Sequence, residues 1–268
     1  MTRIHRLLAI PALATVIAAT SPALAHKPSY GDSDAFGSPE AAYIVEDLDV
    51  SIVLYHEVTC SSEVLWMEYD AETDGAELYV QLGVPVIPRL ADYRPSLAVL
   101  APGFPAPPDD LPFAVPPGYG AMVIDTNDVS DPTIFDEPFS QTESWVMHED
   151  TLPVPAGNGY VVAWHPARQT GKLWVAIGTV EEFGPEDFAQ FGDWMTATKT
   201  FHEEDGYTPF EEPVERICEP AELDLPAQTE RAVASCSALP GTPRRRLVVM
   251  LLATLLVGRF RRVRRTQT

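Results

Sequence analysis

From about Asp49 to Val180 the apolar and polar positions alternate with a period of two rather than 3.6. Alternation of that kind places successive side chains on opposite faces of a half-buried strand. Eight segments carry it: VSIVLYHEV, EVLWMEYD, AELYVQLGV, SLAVLA, GAMVID, ESWVMHED, NGYVVAWHP and KLWVAIGTV. Each is short, rich in Val, Ile, Tyr and Trp, and bounded by Gly, Pro, Asp or Asn. DAETDG and HPARQTG read as hairpin connections. The proline-studded run from Pro102 to Gly120 cannot be a central strand and reads as an extended crossover between two sheets. The spacing predicts a mainly β domain, an antiparallel sandwich with jelly-roll-like organisation.

The period changes once. Gly184-Pro185-Glu186-Asp187 offers proline at a first helical position and acids in the first turn. Phe188, Phe191, Met195 and Phe201, with Trp194 beside them, then recur at helical spacing to about His202. This predicts one C-terminal amphipathic helix whose aromatic stripe caps the sandwich core. After Glu203 the chain is acidic, proline-punctuated and without periodic apolar residues, which reads as a linker. The expected organisation is thus a signal peptide over 1–25, a lead-in over 26–48, the sandwich with its helix over 49–203, an acidic linker over 204–235 and a tail over 236–268.

The two ends carry targeting signals. Arg3, His5 and Arg6 precede an apolar run, and Ala23-Leu24-Ala25 supplies the small-x-small pattern of signal-peptidase sites, with cleavage expected after Ala25. At the other end, Leu247–Gly258 is a short apolar segment of twelve residues, flanked by Arg244–Arg246 and followed by five more arginines up to Arg265. As a helix it would be about 18 Å long at ~1.5 Å per residue, against a hydrocarbon core of ~30 Å. The heavier positive charge after the segment favours a cytoplasmic C-terminus with the body exported.

Charge sharpens this picture. The chain has 18 Lys plus Arg against 39 Asp plus Glu, and ten of the basic residues lie in the two ends. The body from His26 to Cys236 therefore holds eight basic and 39 acidic residues, a net of −31. Such a body repels nucleic acid and anionic membrane surfaces. Three cysteines, Cys60, Cys218 and Cys236, are an odd number for an exported protein. Cys60 with Cys218 would tie the C-terminal segment to the first strands, worth roughly 3–5 kcal/mol on the loop-entropy model. Cys218 with Cys236 would close only a small loop.

Cys236, a small polar spacer, the short apolar segment and the terminal arginines together resemble the MYXO-CTERM class of bacterial sorting tags. The resemblance covers about residues 236–265, and the chain departs from that class in Arg244–Arg246. It implies that Cys236 is the processing position, Leu247–Gly258 a transient span and Arg259–Arg265 a retention signal. The implied partners are a sorting or processing enzyme and the membrane, and the implied location is the cell envelope or outer surface. Within the body, Gly159–Gly178 is similar to the closing hairpin of pre-peptidase C-terminal domains, accessory sandwich modules without catalytic residues.

Candidate chemistry in the body is sparse. No G-x-S-x-G, S-x-x-K or papain-like cysteine context is present. His56, His148 and His165 fall on or near three predicted strands and could converge on copper or zinc with Met67 or Met147, although no pair has metal-ligand spacing. Asp70, Glu72 and Asp74 alternate before Gly75 as in the first half of an EF-hand loop, but Gln81 stands where the closing carboxylate belongs. Asp125, Asn127, Asp128 and Asp131 form a second oxygen-rich loop. Calcium is the one cofactor these loops could take, and the same residues are also good turn formers. The sequence points to an exported, envelope-anchored, non-catalytic accessory or binding protein. The alternatives are a calcium-stabilised adhesion module and a metal-dependent extracellular enzyme using the three histidines.

Overall fold

The computed structural model describes residues 26–31, 35–207 and 214–219. The chain divides into two units, Met1–Ala221 and Glu222–Thr268, and every described residue falls in the first. The expected signal peptide, Ala25, Cys236 and the short apolar tail lie outside the described residues. Among the described residues no helix is long and apolar enough to cross a membrane.

The described residues form a β-sandwich of eleven strands: β1 Lys27–Tyr30, β2 Tyr43–Val45, β3 Ile52–Val58, β4 Val64–Ala71, β5 Ala76–Pro85, β6 Ser96–Ala101, β7 Gly120–Ile124, β8 Thr133–Glu137, β9 Thr142–Val154, β10 Gly157–Trp164 and β11 Gly171–Ile177. A six-stranded sheet runs β1-β3-β11-β5-β9-β8, and a five-stranded sheet runs β2-β4-β10-β6-β7. Pairing is antiparallel except at one edge of each sheet, where β1 runs parallel to β3 and β2 parallel to β4. All eight segments read from alternation are strands. The other three are short or weakly patterned, and two of them lie in the segment expected to be a mere lead-in.

Between the sheets lies the main core. Leu54, Leu65, Met67, Leu78, Leu82, Leu97, Leu173 and Val175 are all completely shielded and form its centre. Alternate residues of the same strands point outward, yet many of them are buried too. On the six-stranded sheet, Val53, Tyr55, Trp174 and Ala176 form a second cluster under Phe201. On the five-stranded sheet, Val64, Trp66, Ala98, Leu100, Val162 and Trp164 form a third, covered by Leu111, Phe113 and Val115. Coverage on both faces explains why SLAVLA (β6) is buried at all six positions instead of alternating.

What covers the faces corrects three expectations. The proline-rich run joins β6 to β7, which are neighbours in one sheet, so it is a long hairpin loop folded back over its own sheet. The C-terminal helix is two pieces, α1 Pro185–Phe188 and α2 Phe191–Phe201. It covers the outer face of the six-stranded sheet, where Phe201 packs on Tyr55 at 4.9 Å, rather than the inter-sheet core. DAETDG and HPARQTG join β4 to β5 and β10 to β11, pairs that belong to different sheets, so both are corners between layers. For the same reason Gly159–Gly178 is not a hairpin. Only β6–β7 and β8–β9 pair directly with the next strand in sequence.

Residues 214–219 of the C-terminal segment are held against the sandwich. Cys218 is disulfide-bonded to Cys60, with S–S 2.06 Å across 158 residues of sequence. Thr170 N donates to Arg216 O and Cys218 N to Arg168 O, both at 2.9 Å. Beside them Arg89 bonds both carboxylate oxygens of Glu203, at 2.7 and 2.6 Å, and reaches Glu215 at 2.6 Å. Lys172 joins Glu203 at 2.8 Å and lies over the Phe201 ring. Residues 214–219, in the expected linker, are thus fastened to the sandwich as a strap.

Candidate functional site

Of the three histidines expected to bind metal, His56 and His165 are engaged locally, and His148 Nε2 is buried without a hydrogen-bond partner. His56, on β3, is buried with Nε2 3.2 Å from Ser62 O, and burial lowers its pKa to about 4. His165, at the end of β10, accepts from Ala167 N at 3.2 Å and lies 4.5 Å from the Tyr93 ring. Burial lowers it to about 4 as well. His148 stands apart on β9, its pKa also lowered by burial. Met67 and Met147 are in the inter-sheet core. Among the described residues no three His, Cys, Asp or Glu gather in an arrangement that could hold a metal ion.

In the first acidic loop (Asp70, Glu72 and Asp74), Asp74 Oδ1 accepts from Ala156 N at 2.9 Å, fastening one corner to the next. Asp125, Asn127, Asp128 and Asp131 form a turn in which Asp125 Oδ1 accepts from Asn127 N at 2.9 Å. These are turn-forming uses of Asx side chains.

Tertiary structure assembles a Ser–His pair that no motif announced. Trp174 Nε1 donates to Ser144 Oγ at 2.9 Å. The Ser144 hydroxyl lies 3.0 Å from His202 Nε2, and His202 Nδ1 lies 2.9 Å from Thr198 O. A carbonyl only accepts, so Nδ1 carries the proton, Nε2 accepts, and Ser144 donates. Tyr30 OH continues the network to Trp194 O at 3.0 Å. The distance suits a nucleophile and its base, but the setting does not. Ser144 and His202 are 4% and 5% exposed, and the cavity beside them holds about 20 Å³, room for about one water. Burial lowers the imidazole to about 4, and its second nitrogen faces a carbonyl instead of a carboxylate. The chain Trp174–Ser144–His202–Thr198 fastens α2 to the sheet.

An open groove lies on the opposite side of the sandwich. Trp66 rises from β4 on the outer face of the five-stranded sheet. Phe113 stands 5.1 Å from it at 75°, and Tyr160 stands 5.5 Å from it at 81°. The aromatic surface continues to Tyr119, 5.6 Å from Tyr160. Two proline-bearing segments, 37–40 and 113–117, flank these rings and leave a groove of about 550 Å³. Pro39, Pro116 and Pro117 fix φ along both banks and stiffen them. Trp66 N donates to Phe36 O at 2.7 Å, seating one bank. Tyr119 OH donates to Asn158 Oδ1 at 2.7 Å, and Asn158 Nδ2 donates to Glu68 Oε1 at 2.5 Å, seating the other. Glu40 is exposed on the rim.

Four separated stretches of sequence build this groove, and none has a motif. The signals that could have found it are the density of Pro with Phe, Val and Tyr between 111 and 119, and Trp66 at an outward position of its strand. A smaller recess of about 240 Å³, lined by His26, Phe139, Phe183, Phe188, Phe191 and Trp194, lies at the helix end. Its lining has few polar groups to orient a ligand.

No family model matches the chain, and no curated protein matches it. Among solved structures it is similar to CorA, a surface-associated copper-binding protein important in copper acquisition in Methylomicrobium album BG8. Identity is 10%, the match covers 58% of this chain and 99% of that one, and the TM-score is 0.27. A likeness at that level carries no argument about what this chain binds.

Proposed function

We propose that this protein is an exported, envelope-anchored binding module that performs no chemistry of its own and takes its ligand in the aromatic groove over the five-stranded sheet. The observation that carries the reading is the open groove of about 550 Å³ between two stiff banks, in which Phe113 and Tyr160 each stand nearly perpendicular to the buried Trp66. Binding sites are concavities of this order, mostly apolar, with a few placed polar groups. The Ser144–His202 pair is fully engaged in holding α2, which removes the best-placed nucleophile from the account. Export rests on the Met1–Ala25 signal, and anchoring on the resemblance of residues 236–265 to a sorting tag, with Cys236 as the position of processing.

Saturation-transfer NMR of the full chain against a panel of small saccharides, aromatic acids and organic cations tests the reading. Ligands that bind should lose their signal with Phe113→Ala while the melting temperature stays within a few degrees of wild type. Binding that survives Phe113→Ala and Tyr160→Ala together would place the ligand elsewhere and overturn the assignment.

A further inference from the structure

The groove has a chemical bias beyond being aromatic, and we infer that its ligand is a small organic cation bearing a methylated ammonium group. This inference rests on the groove being the binding surface.

Three features converge on that chemistry. Aromatic faces carry the negative lobe of the ring quadrupole and attract cations placed within about 6 Å of a ring centre. Here Phe113 and Tyr160, both half-buried, pack over the buried Trp66 and line the groove, so a group seated there meets the surface of these two rings. Next, two carboxylates border the rings. Glu40 lines the groove, and Glu68 lies beneath Tyr160 and Tyr119 through Asn158. Both lie close enough to act on Tyr160, whose phenol pKa is raised by burial first and then by Glu68, Tyr119 and Glu40. Lastly, among the described residues no Lys or Arg lines the groove. The basic residues near the fold's other carboxylates are engaged there: Lys27 with Asp187, Arg89 and Lys172 with Glu203, Arg168 with Glu63.

The methylated form fits better than a primary amine. A primary ammonium keeps three N–H donors that need acceptors on leaving water, and the groove offers few beyond Glu40 and Ser38. Methyl groups spread the charge over an apolar surface that rings can cover at little desolvation cost. The occupant is a free small molecule, and vesicles of phosphatidylcholine separate it from a lipid headgroup of the same chemistry.

The experiment compares choline with 3,3-dimethyl-1-butanol, which has the same shape with carbon in place of the charged nitrogen, by calorimetric titration of the full chain. Choline should bind at least tenfold more tightly. Glu40→Gln should weaken choline three- to tenfold and leave the neutral alcohol unchanged, whereas Phe113→Ala should abolish both. Glu77→Gln, an exposed carboxylate remote on β5, should change neither. Equal affinity for the two compounds would overturn the cation inference and leave the groove as a neutral binding surface. Binding of neither would overturn it too, and the NMR panel would then judge the groove itself. An equal loss with Glu77→Gln would show diffuse attraction to an acidic body, and binding to phosphatidylcholine vesicles without binding to free choline would assign the site to lipid; either result overturns the proposal.

Discussion

Gly83 on β5 and Trp174 on β11 sit directly opposite one another in the six-stranded sheet, and the indole lies flat over the glycine. A Cβ at residue 83 would fall 2.1 Å from the indole ring. The glycine is therefore what lets Trp174 reach Ser144 and so lets Ser144 reach His202.

Gly83→Ala should push the indole away and break that chain at its first bond. The expected loss is about 1–3 kcal/mol for overpacking, with further loss from the unpaired groups. Ser144→Ala leaves Trp174 Nε1 and His202 Nε2 without partners and should cost roughly 2–3 kcal/mol, partly restored by Ser144→Thr. Urea unfolding followed by tryptophan fluorescence measures both. If Ser144→Ala is neutral, the network does not hold the helix.

Acid should destabilise the fold in a window set by its histidines. Burial lowers His26, His56, His165 and His202 from 6.5 to about 4. Below about pH 6.5 the unfolded chain takes up protons that the folded chain refuses, so stability present at neutral pH falls as pH drops toward about 4. Most carboxylates titrate near the bottom of that window, so the slope between pH 6.5 and 5 belongs to the imidazoles. The melting temperature should fall steadily over this range, and His56→Gln should make the fall shallower by about one proton. An unchanged slope in His56→Gln and in His202→Gln would remove the explanation.

The C-terminal strap should fail in two separable ways. Replacing Cys60 and Cys218 together with serine should cost roughly 4–5 kcal/mol, given the 158-residue separation. It should also expose residues 214–219 to protease under native conditions. Arg89→Met leaves Glu203 and Glu215 without their shared cation and should cost about 3 kcal/mol with the disulfide intact. Guanidinium midpoints with and without reductant distinguish the two losses. A reductant effect below about 1 kcal/mol would mean that the strap is held by the ion pairs alone.

Much of the sandwich was readable from alternation because a strand's two faces are a local property of its sequence. The eight patterned segments are all strands, and the turn signals between them fall where the chain changes direction. The readings that failed concern partners. Nothing in DAETDG distinguishes a hairpin from a corner, since both need a tight polar turn, and the difference is which strand β5 meets. β1 and β2 were missed because a strand of four or three residues, held at a sheet edge by a parallel neighbour, is too short to show a period. The six buried positions of β6 likewise depended on a loop folding back from residues 111–119.

The same division governs function. By itself the sequence determined the acidity of the body, the choice of β over α and the residues able to form a disulfide, because each depends on composition or on neighbours a few positions apart. Only the tertiary structure decided that, among the described residues, His56, His148 and His165 gather in no group that could hold a metal ion. It alone brought Ser144 to His202 across 58 residues and set Trp66, Phe113 and Tyr160 around one groove. Those groupings arise from which strands pair and which loops fold back, and pairing energies are collected only when distant segments meet.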